Sequence, residues 1–119
     1  MHVIIIGCGG DMIASKGYIQ SPGFGYAKYP NKVRCQWKIR EIDGKDITVM
    51  LHYFDTEKKY DLMIVKDRVG NSIYSFSGSY HEKTDVPWPL KKSEVLIEFS
   101  SDFTYNKRGF NISFSKGIY

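Results

Sequence analysis

Gly17-Tyr18-Ile19-Gln20-Ser21-Pro22, then Tyr29-Pro30-Asn31, then Cys35-Gln36-Trp37, is the stretch that decides how this chain is read. A short alternating segment runs into a bend rich in Pro and Gly. A second strand then opens on a cysteine and a Trp of the kind that packs into a core. A β-sandwich begins this way and an enzyme core does not, so the search for function moves to loops at a sandwich rim.

Outward from that stretch the period-2 signal recurs. Ile47, Val49, Leu51 and Tyr53 alternate with Thr48, Met50 and His52, and Leu62, Ile64 and Lys66 alternate with Met63 and Val65. Residues 93–99 read as a strand with Val95, Ile97 and Phe99 on one face, and Phe110, Ile112 and Phe114 share a face of the last one. Turn chemistry separates them at Asp43-Gly44, Gly70-Asn71, Gly78-Ser79 and Pro87-Trp88-Pro89. No segment of helical length keeps a 3.6 period. The expectation is an all-β chain, a two-layer antiparallel β-sandwich.

The bulk numbers agree. At 119 residues the chain is one domain, and 42% hydrophobic with 15% aromatic content is too apolar for disorder. The net charge of +4 is a mild excess that indicates no particular acidic partner. No apolar run reaches the roughly 18 residues of a membrane span. Val3-Ile4-Ile5-Ile6 is too short for a signal-peptide core. Cys8 and Cys35 permit one bridge and require none. If formed, it would contribute roughly 3.5 kcal/mol in the chain-entropy view.

Several chemistries fall away. Gly7-Cys8-Gly9-Gly10 after a β-branched run imitates a dinucleotide-binding turn, but Met12 takes the place of the third glycine and no helix start follows. His2 is terminal, His52 sits mid-strand and His81 lies in a polar loop, so no hydrolytic triad assembles. Basic pairs at Lys58-Lys59, Lys91-Lys92 and Lys107-Arg108 fall in loops without the interleaved aromatics of a nucleic-acid site. Three carboxylates stand out. Glu57 and Asp102 follow strands, and Asp61 opens one. Acids at strand ends can converge at one end of a sandwich, where hard oxygen donors suit Ca²⁺; the plainer alternative is that they occupy loops because loops are wet. Asn111-Ile112-Ser113 is an N-glycosylation sequon, with Asn111 opposite the apolar face.

Taken together, the chain from about Cys8 to Phe114 resembles a CUB domain. The resemblance is carried by Cys8-Gly9-Gly10, the stretch quoted first, Cys35-x-Trp37-x-Ile39, Phe54-Asp55-Thr56-Glu57, Tyr60-Asp61, Phe76-Ser77-Gly78, Ile97-Glu98-Phe99-Ser100-Ser101-Asp102 and Gly109-Phe110-Asn111-Ile112. It implies an extracellular, non-catalytic jelly-roll-like sandwich over residues 8–116, with residues 1–7 a leader or flanking segment. It also implies a Cys8–Cys35 bridge and a secreted or ectodomain setting. By resemblance to the calcium-binding members, Glu57, Asp61 and Asp102 would ligate Ca²⁺, joined by a backbone carbonyl near Thr104, and Tyr29 would brace the site. Tyr29, Glu57, Asp102 and Tyr105 would be the residues facing an extracellular protein partner, with one carboxylate accepting its Lys or Arg.

Two departures accompany the resemblance. The second disulfide usual in the family is absent, with Lys58-Lys59 and Ser77 where its cysteines would stand, and the Glu57–Asp61 loop is shorter than in the calcium-binding pattern. A tight loop carrying two lysines sets itself against a shared cation. The cysteine-free Phe76-Ser77-Gly78 and the ending from Tyr105 to Ile112 are similar to attractin-type members. Two other readings stand beside the first. One is Ca²⁺-independent glycosaminoglycan or carbohydrate binding by Lys58, Lys59, Lys91, Lys92, Lys107 and Arg108, with Trp88 or Tyr80 as a stacking surface. The other is an intracellular Ca²⁺/phospholipid sandwich, which needs Cys8 and Cys35 as free thiols.

Overall fold

A computed structural model describes residues 8–80 and 86–116. Among them lie nine strands: β1 (Gly10–Ala14), β2 (Lys16–Gln20), β3 (Arg34–Glu41), β4 (Ile47–Asp55), β5 (Leu62–Asp67), β6 (Ser72–Phe76), β7 (Pro87–Pro89), β8 (Glu94–Ser100) and β9 (Gly109–Lys116). They form two facing sheets, ordered β1-β3-β8-β5-β6 and β2-β9-β4-β7. The alternation read from the sequence fills the space between them. Cys35, Trp37 and Ile39 of β3, Met63 and Val65 of β5, and Val95, Ile97 and Phe99 of β8 come from one layer. Ile47, Val49 and Leu51 of β4 meet them from the other, with Phe110, Ile112 and Phe114 of β9. Phe110 is the hinge of this core, stacked on Phe54 and edge-on to Trp37 and Phe99.

The structure departs from the expected strands in three places. Strict alternation in β4 would turn Tyr53 inward. Instead the register slips between Leu51 and Tyr53 against β9, a bulge that reverses the phase so that Phe54 is buried and Tyr53 faces out. Pro87-Trp88-Pro89 is not a turn but the edge strand β7 on β4, where the missing proline N–H groups cost no central ladder bond. And β1 lies parallel to β3, the one parallel pair among the described strands.

Cys8 and Cys35 are joined by a disulfide across 27 positions, fastening the segment that leads into β1 to β3. The intracellular sandwich that needed these thiols free is thereby removed. Val3–Ile6, His2 and His81 lie outside the described residues.

Candidate functional site

Three connections meet where β4, β8 and β2 end. They are the β2–β3 segment (21–33), the β4–β5 turn (56–61) and the β8–β9 loop (101–108). Their hydrogen bonds are mutual. Tyr29, at 0% exposure, donates its hydroxyl to Asp61 Oδ2 at 2.6 Å and accepts the Glu57 N–H at 3.1 Å. The Asp102 N–H donates to Asp61 Oδ1 at 2.9 Å, and the Lys32 N–H to the Asp102 carbonyl at 2.9 Å. Asn106 closes the ring by donating Nδ2 to the Tyr29 carbonyl at 2.6 Å. Ser101 Oγ binds both the Pro30 carbonyl and the Val33 N–H.

The short loop does bring the carboxylates together. Glu57 C=O accepts from the N–H groups of Tyr60 (3.3 Å) and Asp61 (3.0 Å), with Lys59 in the left-handed region at φ 73°. This single turn folds Asp61 back beside Glu57. One oxygen each from Glu57, Asp61 and Asp102 then lies within 4.8 Å of the others. Asp61 is fully buried, with both oxygens already accepting, and Asp102 Oδ1 accepts the Thr104 N–H at 3.1 Å. Glu57 Oε1 is buried with no hydrogen-bond partner among the described residues. Burial, the Asp102 carboxylate beside it and then Asp61 hold the Glu57 carboxyl above its ordinary range, with Lys107 opposing. Burial and the bond to Asp61 likewise push the Tyr29 phenol up, so it stays a neutral donor. A fixed pair of carboxylates beside a third with an unmet buried oxygen fits a hard divalent cation.

Other expected roles change. Tyr29 is sealed inside and braces the acids; it does not meet a partner directly. Tyr105, on the β8–β9 loop, is 75% exposed. Lys58 and Lys59 are exposed, and the cation acting on Glu57 is Lys107. Where the second disulfide would stand, the Lys59 N–H donates to Ser77 Oγ at 3.0 Å. The six basic residues do not form one patch. The Ile47 N–H, at the start of β4, binds the Lys92 carbonyl, whereas Asp55, at its end, pairs with Gly109 beside Arg108. Eight residue rises separate the two groups, roughly 26 Å. Trp88 and Tyr80 are both half-buried and pack edge-on to Phe76 at the margin of the core. Asn111 faces outward from β9, held by Gln20 Nε2 at 3.4 Å. Sequence reasoning missed Asn106; a lone polar residue in a loop carries no pattern that marks it.

A family model described as "CUB domain" matches residues 8–114. The chain belongs to the CUB family. CUB domains are non-catalytic modules of protein–protein interaction. Among curated relatives, this CUB domain is 37% identical over 112 residues to zinc metalloproteinase nas-39 of Caenorhabditis elegans, covering 90% of the chain and 11% of the relative. It is 32% identical over 114 residues to cubilin of Rattus norvegicus, covering 90% of the chain and 3% of the relative. The chain thus spans only a small part of the curated relatives it matches. Among solved structures, the MASP-1 CUB2 domain bound to Ca²⁺ superposes with a TM-score of 0.77 at 23% identity, covering 91% of this chain and 98% of that one.

Proposed function

We propose that this CUB domain is an extracellular recognition module in which Glu57, Asp61 and Asp102 hold a Ca²⁺ ion. One of these carboxylates then offers an oxygen to a Lys or Arg of a protein partner. The observation that carries the reading is the buried, unpartnered Glu57 Oε1 among three carboxylate oxygens within 4.8 Å. Bound calcium would meet that oxygen and relieve the repulsion among the acids. Carboxylates fixed this way lose little freedom when a cationic side chain arrives. The Ca²⁺-bound MASP-1 domain of the same fold supports the reading, and the disulfide supports an oxidising compartment.

The test is calorimetric titration of the chain with Ca²⁺ alone, alongside thermal unfolding. Affinity should fall at roughly 10⁻⁴ to 10⁻³ M, as for other extracellular modules. The midpoint should rise with added Ca²⁺, by about 2.7 kcal/mol of stabilisation at a hundredfold excess over the dissociation constant. Asp102→Ala should abolish the heat while the ion-free fold persists. A wild-type chain that shows neither heat nor a shifted midpoint in millimolar Ca²⁺ would defeat the calcium mechanism.

A further inference from the structure

Residues of two of the connections that build the acidic cluster, the β2–β3 segment and the β8–β9 loop, also line an open hollow of about 670 Å³. Phe24, Tyr26 and Tyr53 supply its rings, and Lys28 and Arg108 stand among them. The volume is in the range of about 300–1,000 Å³ typical of small-molecule sites, and so is the composition of aromatic walls with a few placed polar groups. No acidic residue lines it. Neither cation is ion-paired among the described residues.

The hollow is built by the fold. The bulge in β4 turns Tyr53 outward, and Phe24 packs against it at 5.5 Å between centroids. The loop carrying Phe24 and Tyr26 is fixed by its own backbone: the Phe24 N–H binds the Ser21 carbonyl, and the N–H groups of Tyr26 and Ala27 bind the Gly23 carbonyl. Ser21 in turn grips Phe110 in both directions, locking this loop to the segment that carries Arg108. Yet Tyr26 is 89% exposed, although its backbone is held in place. A large aromatic side chain left bare on a fixed backbone gains contact only when something covers it.

We propose that this hollow is a second binding site, distinct from the acidic cluster, for a sugar bearing a carboxylate. A pyranose ring has an apolar face to lie on Tyr26 and Tyr53 and hydroxyls to meet their phenol groups. The planar carboxylate matches the fork of the Arg108 guanidinium, with Lys28 adding charge. A neutral sugar would leave both cations unmatched, and a purely apolar ligand would leave the phenols and cations unpartnered. The hollow shares no residue with the acidic cluster, so none of the contacts proposed for the sugar passes through a calcium-holding carboxylate.

The experiment is a backbone-amide NMR titration of the whole chain with the methyl glycoside of N-acetylneuraminic acid and with glucuronic acid, in EDTA and in Ca²⁺. Shifts should appear at Gly25, Tyr26, Ala27, Tyr53 and Arg108 with at least one acidic sugar, equally in both buffers. Methyl galactoside should bind at least tenfold more weakly. Tyr26→Ala and Arg108→Gln should each weaken the acidic sugar at least tenfold while the remaining spectrum and the calcium heat stay as in the wild type. The proposal is overturned by silence at those amides with both acids, by equal binding of the neutral sugar, by loss of binding in EDTA, or by tighter binding of free sulfotyrosine at the same residues.

Discussion

Single residues hold the two functional loops in place, and Gly109 does so most directly. Its backbone sits at φ +92°, and a Cβ there would lie 1.8 Å from Ser21 Oγ and 2.8 Å from Ser21 Cβ. Ser21 cannot yield, because its hydroxyl accepts the Phe110 N–H at 2.9 Å and its own N–H binds the Phe110 carbonyl. Gly109→Ala therefore combines left-handed strain with displacement of a buried hydrogen bond. The expected loss is at least about 2 kcal/mol in urea denaturation. A wild-type midpoint would show that the two loops are not clamped here. The Gly109-Phe110-Asn111-Ile112 string was legible as part of a family pattern. Why the first position must be glycine was not, because the atom it avoids lies 88 residues earlier in the chain.

At the scale of elements, the strands were legible because each buries one face, and alternation survives in the sequence wherever pairing is regular. What alternation missed were features decided by a neighbour. The β4 bulge exists only against β9, and β7 is a strand only because β4 offers it an edge. The β5–β6 hairpin shows the same dependence in its electrostatics. Asp67 Oδ1 accepts the N–H groups of Val69 and Asn71, and Oδ2 accepts Asn71 Nδ2. These bonds, those from Asn71 foremost, hold the Asp67 carboxyl below its ordinary range. A depressed carboxyl contributes stability above the ordinary carboxylate pKa and loses it as pH falls through its lowered value. Asp67→Asn should thus be less stable than wild type at neutral pH and fall less steeply on acidification toward about pH 3. Urea denaturation across that interval measures the slope; an unchanged slope would remove Asp67 from the acid response.

Over the whole molecule, one covalent tie fastens the start of the described chain to the sandwich. The Cys8–Cys35 bridge anchors the segment leading into β1, whose only ladder among the described residues is its parallel pairing with β3 at the sheet edge. Replacing both cysteines by serine should cost roughly 2–4 kcal/mol. It should also raise hydrogen exchange in β1 far more than in β9, which lies between β2 and β4. Equal exchange in the two strands would mean that the bridge constrains the fold globally and not at this edge. The second disulfide of the family pattern has no such counterpart here; the Lys59–Ser77 hydrogen bond spans its place.

Sequence alone determined the fold class, the facing apolar surfaces and the identities of three candidate ligating acids. Those properties are written in local periodicity and in residue types at strand ends. Only the tertiary structure decided that the short β4–β5 turn still folds Glu57 and Asp61 onto Asp102, that Tyr29 is sealed behind them, and that the basic pairs part to opposite ends of β4. Distances between loops are set by strand register, by a bulge and by the hydrogen bonds that tie one connection to another. All of these join residues far apart along the chain, and no window of sequence contains both partners.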